Sequence, residues 1–144
     1  MEHILSQLGT QTTCPAAIIV RDGKILFGLR HYTADKWKDI SVWTAPGGRC
    51  EVGETVEQTL RRETFEETGI KNLKITGYMG EVAGAKEGDT LLMFSATTDE
   101  EATLMEPKKF SEWRWFKPEE IPENFINERA REVILNFFNQ KSRP

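Results

Sequence analysis

The stretch TVEQTLRRETFEETG, Thr55 to Gly69, restricts the fold more than any other part of the chain. Thr55 and Gln58 stand at capping-box spacing, and Gly69 suits the left-handed residue just past a helix end. The pattern predicts a helix over Val56–Thr68. At about 100° per residue, Glu63 and Glu67 continue the stripe that Val56 and Leu60 begin, and Glu66 lies to one side. The helix is therefore apolar at its start and acidic further along the same face. A solvated face laced with salt bridges explains this poorly. The residue four on from Glu63 is Glu67, a like charge costing ~0.2–0.5 kcal/mol. Glu66 meets Ile70 at that spacing, and only Glu67 meets a base, Lys71. The acids also crowd the end where the helix dipole disfavours them. Several small penalties at one place point to a function that offsets them.

The remaining sequence predicts what this helix packs against. PAAIIVRDGKILFGLR is two apolar runs around Asp22-Gly23, a hairpin signal. HYTADKWKDISV is a polar connection, and WTAPGG a short strand closed by a Pro-Gly-Gly turn. LKITGYMGEVA and TLLMFSATT are strands around the turn Lys86 to Asp89, and EWRWF is another strand. NERAREVILNFFNQ is a closing amphipathic helix. No repeat, low-complexity tract or linker divides residues 1–144, so one domain is expected. Hairpins mixed with helices, without regular βαβ alternation, predict an α+β fold: an α/β/α sandwich on a central mixed sheet.

Charge narrows the chemistry. The formal net charge is −4, so bulk electrostatics does not favour nucleic acid, which needs a basic face. Clustered oxygen donors suit Mg²⁺, Mn²⁺ or Ca²⁺. No Asp/Asn-rich twelve-residue loop suggests an EF-hand. His3 and His31 are the only histidines and lie far from the acids in sequence, which argues against zinc. A carboxylate cage for Mg²⁺ makes sense if the ligand carries phosphates, and it lets an acidic protein hold polyphosphate. Cys14 and Cys50 share no CxxC-type spacing and read as two reduced thiols. The start MEHILSQLGT lacks a basic n-region, and no apolar run approaches ~18 residues. A cytoplasmic protein without membrane partners is expected.

Gly48, five residues, Glu54, seven residues, then Arg62-Glu63-Thr64-Phe65-Glu66-Glu67-Thr68-Gly69-Ile70 resembles the Nudix box. One position departs: Thr64 stands where an aliphatic residue is usual, and its hydroxyl needs a partner. The resemblance implies a hydrolase of nucleoside diphosphates linked to a further group. It implies metal ligation by Glu63, Glu66 and Glu67, with the Gly47 carbonyl as a further ligand, since a Gly-Gly turn lets main chain approach an ion. Glu54 and Arg62 become a bidentate pair pinning loop to helix. Glu51 and Arg61 read as solvent-facing. Mg²⁺ or Mn²⁺ is the implied cofactor, and the implied step is attack by a metal-activated water on a phosphorus. Glu106 is the candidate for a later-loop ligand or base, and Glu112 is its rival.

EPKKFSEWRWFKPEEIP resembles the mutator-type branch, which cleaves (deoxy)nucleoside triphosphates to monophosphate and pyrophosphate. Trp113 and Trp115 should share one face of their strand, Arg114 and Phe116 the other. ADP-ribose, nucleotide sugars and dinucleoside polyphosphates stay open as substrates. A nucleotide-sensing module that no longer cleaves is the alternative from another class, and the intact acids argue against it. Isomerase chemistry on a prenyl diphosphate lacks a trustworthy cysteine or histidine. The partner is a small nucleotide, and a homodimer is common in the family. Similar proteins read the base at the junction IPENFINE. Here Phe125 could stack and Asn124 and Asn127 could read its edge. The competing expectation, slightly favoured, is that Phe125 staples the last helix to the core and Asn124 caps it.

Overall fold

The structure, a computed structural model, describes residues 1–31 and 41–141. Most of the polar connection HYTADKWKDISV lies outside the described residues. The elements run α1 (Glu2–Leu5), β1 (Thr13–Arg21), β2 (Lys24–Arg30), β3 (Val42–Thr44), α2 (Val56–Thr68), β4 (Lys74–Ala83), β5 (Thr90–Thr97), β6 (Phe110–Phe116) and α3 (Glu128–Lys141). A 3₁₀ turn at Pro118–Glu120 precedes the last junction. The short α1 was not expected. It buries Leu5 beneath α2.

The six strands form one mixed sheet, ordered β3-β2-β1-β5-β4 with β6 paired to β2. The hairpin turn has φ of 51° at Asp22 and 75° at Gly23, the positive pair that a two-residue turn requires. Beyond the turn the two strands separate. β1 pairs β2 only at Val20–Ile25 and Arg21–Lys24. It then runs parallel to β5, from Thr13–Thr90 to Ile19–Ala96. β2 turns instead to β3 and β6. One edge of β1 is thereby left vacant, and this opening builds the site.

Strand alternation supplies a core on each face. Ala17, Ile19, Leu26, Leu92, Phe94 and Ala96 meet Val56 and Leu60 of α2. Ile18, Ile25, Phe27 and Met93 meet Ala130, Ile134 and Phe138 of α3. The neighbours in sequence thus point to opposite layers, and the result is the expected α/β/α sandwich. Trp113 and Trp115 pack on the α2 side, Phe116 on the α3 side. Arg114 lies over the rings of Trp43 and Phe116. The capping box at Thr55 and Gln58 forms, and Gly69 ends α2 at φ 78°. Cys14 and Cys50 are both free thiols. No helix among the described residues is long and apolar enough to cross a membrane.

Candidate active site

The loop after β3 fills the vacant edge of β1. Ala17 N donates to Pro46 O at 2.9 Å, Gly48 N to Pro15 O at 3.2 Å and Cys50 N to Thr13 O at 3.0 Å. Gly47 lies so close that a Cβ there would sit 2.4 Å from Pro15 O. A Cβ on Gly48 would sit 2.4 Å from the Glu63 carboxyl carbon. Only glycine permits both approaches. The pair therefore lays main chain directly over an acid of α2, with the strand behind it.

The acids have cations that the residues one turn ahead did not reveal, one of them, Arg62, standing four positions before Glu66. The Arg62 guanidinium grips Glu54 in two bonds, Nε to Oε2 at 2.7 Å and Nη2 to Oε1 at 2.9 Å. Its Nη1 reaches back to Glu63 at 2.9 Å and Glu66 at 3.1 Å, and its Nη2 also donates to Arg49 O at 3.2 Å. Glu63 and Glu66 are therefore paired from the N-terminal side, correcting the view that they lack a basic partner. Glu67 does not pair with Lys71. Its carboxylate accepts from Gly47 N at 3.0 Å and from Lys109 Nζ at 2.6 Å, a residue 42 positions away. Lys71 instead lies 6.0 Å from the Phe65 ring centroid. The sequence carried no local signal for Lys109, because its contact is made through the sheet.

Burial separates the acids. Glu67 is 1% exposed, and burial pushes its carboxyl up to about 7 even with Lys109 beside it. Burial also raises Glu63. The Arg62 hydrogen bonds hold Glu54 down at about 2, helped by the Glu51 N–H and the Thr59 hydroxyl. Glu66 is exposed. Glu51 is exposed and 3.9 Å from Arg62. Arg61 is more engaged than expected, bonded to Glu57 and to Leu73 O. The Thr64 hydroxyl is buried without a hydrogen-bond partner, so the expected partner is missing at that departure from the box.

A pocket of about 320 Å³ opens on the α3 face beside the glycine pair. Its lining includes apolar Ala16, Ile18, Leu91 and Met93 and charged Arg49, Lys86 and Asp89. Arg49 and Asp89 are joined at 2.7 Å. The volume falls in the range of small-ligand sites. Phe125 and Asn127 line it. Asn124 does not. Its amide donates to Ser41 O at 3.2 Å, so it neither reads a pocket ligand nor caps α3. The cap is Asn127, whose Oδ1 accepts from Ala130 N at 3.1 Å while Nδ2 donates to Ala83 O at 2.8 Å. Phe125 is buried edge-on against Phe27 at 4.9 Å. The ring belongs to the core, as the slightly favoured expectation had it, although one side of it faces the pocket.

Among the described residues, no three His, Cys, Asp or Glu side chains are grouped to enclose an ion. Arg62 and Lys109 occupy the carboxylates instead. The donor set nonetheless fits a hard divalent cation: carboxylate oxygens beside a glycine main chain, with no sulfur or imidazole among them. Glu106 adds a further observation. Its Oε1 is buried without a partner, in the turn whose carbonyl at Glu106 accepts from Lys109 N at 2.9 Å. Its rival Glu112 likewise has a buried Oε1 without a hydrogen bond, although that oxygen lies in an ion pair with Arg114, so the two are not separated on this ground.

An α/β/α sandwich with an acidic helix under a glycine loop and a pocket beside it is the arrangement that the comparisons with known proteins match. The NUDIX domain family model matches residues 12–137, and the chain belongs to the Nudix family. It is 34% identical over 109 residues to the "NAD-capped RNA hydrolase NudC" of Mannheimia succiniciproducens, covering 74% of this chain and 40% of that protein. The chain thus spans well under two thirds of the NudC relative's length. It is 28% identical over 98 residues to a "Putative 8-oxo-dGTP diphosphatase" of Bacillus subtilis, covering 68% and 65%. Among solved structures, a MutT Nudix hydrolase from Burkholderia pseudomallei superposes with a TM-score of 0.67 at 24% identity, covering 87% and 95%. A Nudix hydrolase from Nitrosomonas europaea reaches 0.75 at 20% identity, covering 92% and 73%. These two likenesses speak for the fold.

Proposed function

We propose that this chain is a divalent-metal-dependent pyrophosphohydrolase. Its substrate is a nucleoside diphosphate-linked small molecule, first a (deoxy)nucleoside triphosphate cleaved to monophosphate and pyrophosphate. The observation that carries the reading is Glu67: a carboxylate 1% exposed, bonded to the main chain of Gly47, which itself lines a pocket of about 320 Å³. A buried acid at a cleft, with its pKa moved toward neutrality, is what catalysis asks for and folding does not.

Glu63, Glu66, Glu67 and the Gly47 carbonyl would hold Mg²⁺ or Mn²⁺, with Glu106 supplied by the neighbouring turn. A divalent cation held there would supply charge neutralisation for phosphate oxygens and a lowered pKa for water. The chain does the rest. Arg62 fixes the loop to the helix through Glu54, so the glycine pair stays aligned with the acids. Lys109 balances the buried charge of Glu67 and must yield Oε2 when a ligand takes it. With its carboxyl near 7, Glu67 can hold or release a proton at that oxygen close to neutral pH. The apolar part of the lining receives the base, and its Arg49 and Lys86 serve the phosphates.

A second reading, a diphosphate in an NAD-type cap on RNA, is favoured by the name of the 34% identical relative and would run against the expectation of no nucleic-acid partner. One experiment separates the readings: a panel of nucleoside triphosphates, NAD, ADP-ribose, nucleotide sugars and dinucleoside polyphosphates with Mg²⁺. Released phosphate is counted after pyrophosphatase or phosphatase treatment. Turnover should vanish in EDTA and return with Mg²⁺ or Mn²⁺. Sustained turnover without metal would remove the cage. Binding without turnover on every compound would favour the sensing module.

A further inference from the structure

The segment ahead of β1 grips the loop that carries the glycine pair. Residues 7–9 precede the span that the family model matches, yet they bond both sides of the α2 N-cap. Gly9 N donates to Glu54 O at 3.0 Å, and Val56 N donates to Gln7 O at 2.9 Å. Leu8 lies between them in an antiparallel bridge with Thr55. The Val56 N–H is one of the donors that a helix start leaves without an intrahelical partner, and the segment supplies its acceptor. Leu5, buried in the core beneath α2, anchors the segment at its other end.

The tightest contact is between Gly9 and Cys50. A Cβ on Gly9 would sit 2.2 Å from Cys50 Sγ and 2.8 Å from Cys50 Cβ, so turning the thiol alone does not make room. Gly9 is not among the positive-φ glycines. The close approach, not the backbone angle, is what calls for glycine here. Cys50 stands two residues after Gly48. Its N–H holds Thr13 O, as the Gly48 N–H holds Pro15 O, and Arg49 O between them accepts from Arg62. A push at Cys50 therefore passes along main chain to the glycine pair beside Glu63 and Glu67. We propose that residues 7–9 are a positioning brace, with Gly9 as its contact point, which sets the height of the Gly47-Gly48 main chain over those acids. The brace thereby tunes how tightly a divalent cation is held there. That last step rests on the pyrophosphohydrolase reading.

Amide exchange by NMR and Mn²⁺ titration read the brace without turnover. Gly9→Ala should speed exchange at the Gly48 and Cys50 amides about tenfold, as local opening does. The Ile18 amide, inside the β1–β5 pairing, should be unchanged. Mn²⁺ binding, followed by the EPR signal of the free ion, should weaken several-fold. Adding Cys50→Gly to Gly9→Ala puts a methyl where the thiol stood and should return both readings toward wild type. Cys50→Ala empties the contact instead of overfilling it. It should give the same local pattern at smaller size, and it decides the matter if Gly9→Ala does not fold. Equal acceleration at Ile18 would mean general stability only and overturn the proposal. So would loop amides and Mn²⁺ affinity that stay at wild-type values in the folded variants, or a double variant no closer to wild type than Gly9→Ala. A wild-type chain that takes up no Mn²⁺ would overturn the tuning of a cation. If the chain hydrolyses nothing on the panel, the pyrophosphohydrolase reading fails, while the exchange pattern still decides whether the brace exists.

Discussion

The loop from Pro46 to Thr55 and the junction from Ile121 to Asn127 each run into a long helix, and each contributes to the same pocket. Their polar groups have opposite employment. In the first, Glu54 and Arg62 satisfy each other, and the carboxylates beyond them exceed what the fold needs. In the second, both ends of the Asn127 amide are taken by main chain, and Asn124 holds Ser41 O. The acids of the first are held by side-chain cations that a ligand can displace, and the amide of the second is held by main chain that seats a helix. Residue type alone does not separate these cases. The kind of partner does.

The sharpest way to break the comparison is Glu67→Gln. It keeps shape and removes a buried charge that is bonded to Gly47, a residue lining the pocket. Hydrolysis of the best panel substrate should fall by roughly two orders of magnitude or more, the scale of losing a group that acts in the transition state. The melt should stay near wild type, because the charge was costly to bury. A collapsed melt would make Glu67 structural and dissolve the distinction between the junctions.

Phe125→Ala attacks the other side. The ring is 3% exposed and meets Phe27 edge-on, so truncation should cost about 3–5 kcal/mol, read by urea unfolding. A melt only slightly lowered, with a raised KM, would give the ring to a stacked base and move the second junction into the binding machinery.

These two residues show what was legible in the sequence. α2 could be placed to the residue because its caps are local, and the strand faces followed from period-two alternation. Glu54 and Arg62 were legible through the resemblance to the Nudix box, and the structure forms the bidentate pair. Lys109 was not, since its contact with Glu67 depends on how β2 and the turn before β6 come together. The same holds for the capping role of Asn127. The sequence offers two asparagines at the junction, and only the arrival of α3 beside the β4 end at Ala83 decides between them. Metal ligation by the acids stays a chemical argument in both readings, from donor type and burial.

Arg62→Ala should have a smaller effect than Phe125→Ala. The pair is partly exposed, so solvent screens it, and a loss of roughly 1–3 kcal/mol is expected. Its pH dependence carries a sign. Glu54 has a folded pKa lowered to about 2 by Arg62, so its stabilising contribution is fully present above the unfolded value near 4.5. That contribution is lost as pH falls through about 2. The stability gap between wild type and Arg62→Ala should therefore be constant above pH ~5 and narrow steadily below it. A gap that widens in acid would mean that the guanidinium stabilises something other than the Glu54 carboxylate.

The smallest effects separate the two asparagines. Asn127→Ala removes a helix cap and leaves Ala83 O without its donor, which should cost about 1–2 kcal/mol. Asn124 is exposed and makes one bond of 3.2 Å, so Asn124→Ala should stay within about 0.5 kcal/mol. Neither should alter preference among bases, because each end of the Asn127 amide already holds a main-chain partner and Asn124 lies outside the pocket. Kinetics on a set of nucleotides differing only in the base checks this alongside the melts. A change of base preference in Asn127→Ala, with the melt unmoved, would mean that the amide leaves its backbone partners to meet the ligand. The second junction would then resemble the first, with polar capacity held for chemistry and not for the fold.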